Sequence, residues 1–147
     1  MLNDLSALER QFDAMVQEQL LDAGAEAMRL VVSMTFNMIV DNTVVWSGYA
    51  AANQRIAIGT LDDAELNPRI RRGNPYPASG EYEGLIEPSR AQELAKLADL
   101  QFGEAVEIGT AVGYFPDIGW TEGLGTDIYT EASIVGPELA QGAFTQP

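Results

Sequence analysis

The sequence contains no cysteine, no histidine and a single lysine, Lys96. The first absence removes disulfides, thiolate nucleophiles and cysteine-based zinc sites. The second removes the commonest general base and the commonest transition-metal ligand, and with them Ser-His-Asp and Cys-His catalysis. Long apolar runs are missing too: none approaches the ~20 residues that span a bilayer, so no membrane partner is expected. The opening residues, MLNDLSALERQFD, carry early acids and no basic stretch. No secretory signal is expected from them, and the chain reads as made and used in a cytoplasm. Basic charge is scarce: 8 Lys and Arg face 22 Asp and Glu, the net charge is −14, and residues 104–147 hold no base at all. Such a surface repels nucleic acid. It suits plain solubility or a salt-adapted proteome, and equally a wall past which DNA slides without sticking.

What remains is enough for one folded domain. The 147 residues are 46% apolar, which favours a single domain over 1–147 with a modest core. Near the start, Leu5, Leu8, Phe12, Met15, Val16, Leu20, Ala23, Ala27, Leu30, Val31, Met34 and Met38 recur at helical steps. Asn3 or Asp4 can cap this helix. Unbroken to Val40, it would be about 55 Å long. Broken near Gly24, it becomes two ordinary helices split at Asp22–Gly24. The unbroken form is out of scale with the rest of the chain, so one end is expected to project or to pack on a neighbouring copy.

Asp41-Asn42-Thr43 ends the pattern, and VVWSGYAAANQRIAIG follows from Val44 to Gly59. Ser47 is a good N-cap for short helical turns over Gly48 to Asn53, with Tyr49 as their apolar anchor. Arg55 to Gly59 alternates as a half-buried strand, with Ile56 and Ile58 on one face. Residues 61–87 are rich in proline, glycine and scattered charge, and read as a long loop suited to contacts. Pro88 at the first helical position starts another helix, which Gly103 ends. Its inner face is expected to be Ala91, Leu94, Ala95, Leu97, Ala98 and Phe102. Glu104 to Gly109 is a second alternating strand, with Val106 and Ile108 on one side. Residues 127–135 suit a short helix and a strand equally, and 137–147 read as a flexible arm.

Few residues suggest chemistry. Asp62, Asp63, Glu65 and Asn67 look like the start of a calcium loop. Counted from Asp63, however, Pro68 stands where such a loop requires Gly and Asn74 where it requires Glu. Glu81 and Glu83 can pose as a glycosidase carboxylate pair, yet they flank Tyr82 in a polar loop that suits a solvated surface. Together with Asp117 and Glu122 they are the candidates for a carboxylate-based hydrolase. GWTEGLG, ending at Gly125, lacks the spacing of a dinucleotide fingerprint. No catalytic set, metal site or cofactor is expected. Arg69, Arg71 and Arg72 form the one basic cluster. It can touch phosphates, but among so many acids it better suits pairing with carboxylates across a subunit boundary. Tyr114, Phe115 and Trp120 sit in a glycine-rich turn, where they either plug the core or supply area at an interface.

Two stretches carry a family likeness. The first is the long helix followed by Trp46-Ser47-Gly48-Tyr49, three alanines and the strand from Arg55. The second is the strand ending at Ile108-Gly109, the aromatic turn from Gly113 to Trp120, then Gly125-Thr126-Asp127. In order and spacing they resemble the tail-completion, or tail-terminator, proteins of long-tailed bacteriophages and related particles. Val44, Val45 and Trp46 stand where that family usually has a Pro and an Asp, and Gly113 stands where it often has Pro.

The resemblance implies an α+β fold: a long N-terminal helix packed across a small antiparallel β-sheet, with one or two further short helices. It implies a homo-oligomeric, commonly hexameric ring in the virion, assembled in the host cytoplasm. That ring joins the tail-tube protein to the head-side connector or stopper and lets double-stranded DNA pass an acidic lumen without tight binding. It implies no catalytic residue. In this frame Trp46, Ser47, Gly48 and Tyr49 are a structural elbow between helix and sheet. Ser47 caps, Gly48 permits close backbone approach, and Trp46 and Tyr49 fill the junction. Arg69, Arg71, Arg72, Tyr114, Phe115 and Trp120 are the candidate subunit and partner contacts. Apart from the resemblance, the same features describe a small acidic module that binds a basic partner or peptide.

Overall fold

The fold is that of a computed structural model, which describes residues 2–43, 45–68 and 77–112, with side chains from Leu5 onward. Arg69, Arg71, Arg72, Tyr114, Phe115, Trp120, the segment 127–135 and the arm 137–147 lie outside the described residues, as do Asp117 and Glu122.

Helix α1 runs unbroken over Leu2–Asn42, 41 residues. The alternative of two helices split at Asp22–Gly24 does not occur. Gly24 does not break the helix but seats an aromatic ring: a Cβ there would lie 2.4 Å from a ring carbon of Phe102. The helix carries two apolar faces. Ala25, Phe36, Ile39 and Val40 are buried, and Met28 and Val32 pack beside them. At about 100° per residue these positions lie opposite the stripe from Leu5 to Met38. The strongest helical pattern in the sequence is therefore not the face the core uses. Beyond Ala23 the stripe is half-buried; before it, every member is exposed.

After α1 the chain turns through the elbow into α2, Tyr49–Ala52, all four residues buried. Strand β1, Arg55–Ile58, pairs antiparallel with β2, Val106–Gly109, setting Ile56 opposite Ile108 and Ile58 opposite Val106. Gly59 ends β1 with a φ of 103°. Between the strands, the loop expected over 61–87 ends early. A 3₁₀ turn over Glu83–Leu85 leads into α3, Ile86–Ala95, and a second over Lys96–Asp99 extends it. Pro88 is thus the third residue of α3, not the first.

The inner face of α3 also differs from expectation. Ala91, Ala95, Ala98 and Phe102 are exposed, Leu94 is half-buried, and of the expected set only Leu97 is buried. Ser89 and Glu93 point inward in their place. A search for apolar residues misses them because their burial is paid for by hydrogen bonds. The resulting fold is α+β, with the C-terminal half of α1 and α3 packed on a two-stranded antiparallel sheet. Phe36, Val40, Ile56, Leu97 and Leu100 form one apolar cluster, and Tyr49, Ala50, Ala52, Tyr82 and Val112 a second, with Ile86 against both.

Candidate functional site

The elbow is built from backbone proximity. Gly48 has a φ of 80° and precedes the first residue of α2, so the N-cap position belongs to Gly48 and not to Ser47. The Ser47 hydroxyl instead accepts a 3.2 Å hydrogen bond from the Tyr49 N–H. A Cβ on Gly48 would meet backbone atoms of Tyr82 and Glu83 at 2.7–2.8 Å. That closeness lets Ser47 O accept from Tyr82 N–H at 2.7 Å and Trp46 O from Gly80 N–H at 2.9 Å. Tyr49 is wholly buried, its ring edge-on to Tyr82 at 4.9 Å. Trp46 does not fill the junction; it is 62% exposed. Its carbonyl, not its ring, is the part held, accepting from the Gly80 N–H.

Polar side chains tie the loop after β1 to this elbow. The Tyr49 hydroxyl donates to Glu65. Asn67 donates its backbone N–H to Asn53 Oδ1 at 2.7 Å, and its amide to Ala52 O at 2.7 Å and Ser89 Oγ at 2.8 Å. Asp62 pairs with Arg55 at 2.6 Å. The Arg55 hydrogen bond, then that of the Ala64 N–H, hold the Asp62 carboxyl below its ordinary pKa. Three of the four supposed calcium ligands, Asp62, Glu65 and Asn67, therefore serve other partners. Among the described residues no group of three His, Cys, Asp or Glu can hold a metal ion. Glu81 accepts from its own turn, at Ala78 N–H, and both it and Glu83 are exposed.

Sequence reasoning missed one buried ionic group. Glu93, 0% exposed, accepts from Ile56 N–H at 2.9 Å and from Lys96 Nζ at 2.5 Å, while Lys96 donates to Ile56 O at 3.0 Å. The Glu-x-x-Lys spacing was the available signal, but on a helix it usually marks a surface pair. Glu93 Oε1 and Arg90 Nε are buried without a hydrogen-bond partner. The rest of Arg90 bonds Asn37, Asp41 and Glu87. Burial works against its charge, but the hydrogen bond and charge of Asp41, with Glu87, more than offset this and push its pKa up. Each of these groups is engaged in holding elements together.

No family model, curated protein or solved structure matches the chain. Its own surface is then the guide. The described helices include none long and apolar enough to cross a membrane. The outer half of α1 nevertheless exposes Leu5, Leu8, Phe12, Met15, Val16 and Leu20. On its other side, between α1 and the turn after α3, runs an open groove of about 820 Å³. Ala14, Leu21, Ala25, Ala98, Leu100 and Phe102 line it, and Glu18, Asp22 and Asp99 border it. Arg29 closes the inner end, donating to Leu97 O at 2.9 Å and Leu100 O at 3.0 Å.

Proposed function

We propose that the chain is a structural subunit of an oligomeric ring at a phage-type head–tail junction, with no bond-making role. The observation that carries this reading is the outer half of α1, which exposes six large apolar side chains, Leu5 to Leu20, along one stripe. An apolar stripe of this kind on a soluble-type helix marks a contact surface. A ring subunit needs such a surface on each side. The charge supports the same role: about six copies carry roughly −80, and any part facing the lumen repels passing DNA. On this reading the ring's neighbours are a tail-tube protein and a head-side connector.

Electron microscopy of the purified full chain, and of particles that contain it, tests the proposal. Rings, or a discrete neck layer, are expected. A strict monomer absent from particles would end it. A second reading, an acidic module for a basic partner, draws on the acids that border the groove. Capture of one basic protein and no particle component would favour that reading.

A further inference from the structure

We infer that the exposed stripe of α1 in one copy docks into the groove between α1 and Phe102 of a second copy. This rests on the ring reading only for closure; the contact itself stands on the geometry of α1. Stripe residues Leu5, Leu8, Phe12 and Met15 follow the spacing of helix-in-groove anchors. The groove offers what such a helix needs. Ala14, Ala25 and Ala98 leave room for close approach, and Leu21 and Phe102 give exposed apolar surface between the polar residues that share the lining.

The two surfaces lie on opposite sides of one helix. At about 100° per residue, Leu5, Leu8, Phe12, Val16 and Leu20 point away from Ala14, Leu21 and Ala25. One copy therefore presents a donor and an acceptor at once. That is a head-to-tail contact, which repeats from copy to copy until it closes or extends without limit. A two-fold dimer would use one patch twice and leave the other bare.

The stripe is large enough. The six stripe side chains are 38–66% exposed. At roughly 100 Å² of apolar surface each they give on the order of 600 Å² on the stripe side, at the lower end of one partner's share in a stable specific interface. Charge opposes the fit. Glu9 and Asp13 stand beside Leu8 and Phe12, and they meet Glu18, Asp22 and Asp99 around the groove. Salt screens like charges, so it tightens this contact, whereas it loosens a basic peptide held in the same groove.

Sedimentation of the full chain at about 0.05 and 0.5 M salt reads the outcome. The stripe variant is Leu8→Glu with Phe12→Glu; the groove variant is Ala14→Glu with Ala98→Glu. Both add the same charge at exposed positions, and far-UV circular dichroism checks that each remains folded. Each is expected to weaken assembly by ~100-fold or more. Mixed together they should form a heterodimer and nothing larger, since each retains one half of the contact. Three results would overturn the inference: a groove variant that assembles like the native chain, native assembly that loosens with salt, or a native chain that stays monomeric. Rings that persist in both variants end this contact and leave the ring reading standing. Open filaments that vanish in both variants uphold the contact and end the ring reading.

Discussion

Replacing Gly48 by alanine loads the elbow in two ways. Its φ of 80° lies in the left-handed region, which costs an L-residue about 1–2 kcal/mol. The new Cβ would also meet Glu83 N at 2.7 Å and Tyr82 C at 2.8 Å. Both are backbone atoms and cannot swing aside. Relief requires the 80–83 segment to retreat from Trp46 and Ser47. That stretches the hydrogen bonds from Tyr82 N–H and Gly80 N–H, now 2.7 and 2.9 Å long. Each is worth about 1 kcal/mol, and the Tyr49–Tyr82 edge contact adds about 0.5–1.5. Together the loss is about 3.5–5.5 kcal/mol, a large share of the roughly 5–15 typical of a domain. Gly59 is the matched control. Its φ is 103°, but nothing lies within 4 Å of a Cβ placed there. Gly59→Ala should therefore cost only the backbone term, about 1–2 kcal/mol. Urea unfolding followed by far-UV circular dichroism, at one protein concentration, separates the two. With a slope of ~2 kcal/mol per molar, the midpoint falls by about 1.7–2.8 M for Gly48→Ala and about 0.5–1 M for Gly59→Ala. Equal shifts in the two variants would show that the close approach contributes nothing.

Other positions give sharp expectations. Glu93→Ala leaves the Ile56 N–H without its acceptor and should lower stability by about 1–3 kcal/mol in the same urea assay; no measurable loss would refute the role given to the buried carboxylate. Asp62 should titrate below the ordinary 3.8 by carboxyl-carbon NMR. Its folded pKa is depressed, so its contribution to stability is present above 3.8 and is lost as pH falls through the folded value. Asp62→Asn should therefore alter stability above that range and leave it nearly unchanged at the acid extreme; the reverse pattern would count against the Arg55 pairing. Gly24→Ala should stabilise by about 0.5–1 kcal/mol in a Phe102→Ala background, through helix propensity. With Phe102 present it should gain less, because the ring must leave its seat; equal effects in both backgrounds would refute the packing.

The length of α1 was legible because its apolar steps persist through Gly24 to Met38. Its orientation was not, because the helix has two apolar faces and the stripe with more members is the outer one. Gly48 was legible as an elbow, since few residues other than glycine tolerate both a left-handed turn and a backbone at its Cα. Trp46 misled: a large aromatic beside such a turn suggests filling, yet its carbonyl, not its ring, is what the turn holds. For α3, apolar periodicity pointed at alanines, while the buried face is Ser89, Glu93 and Leu97. Polar residues are interior there because specific partners wait at Ile56 and Asn67, and those are distant in sequence. The site followed the same rule. The groove needs residues from α1 and from the turn near Phe102, which no local pattern joins.

The Glu93–Lys96 pair has one further consequence. With one carboxylate oxygen and one ammonium, it occupies both outward-facing hydrogen-bonding groups of Ile56. On that flank the two side chains do what another strand would do, without offering a ladder of their own. A stray extended segment finds the groups of Ile56 already taken, which blunts that edge of β1 against the edge-to-edge growth that leads to aggregates. Removing Glu93 would thus unmask a sticky border as well as weaken the core, a hazard that grows wherever many copies are crowded together.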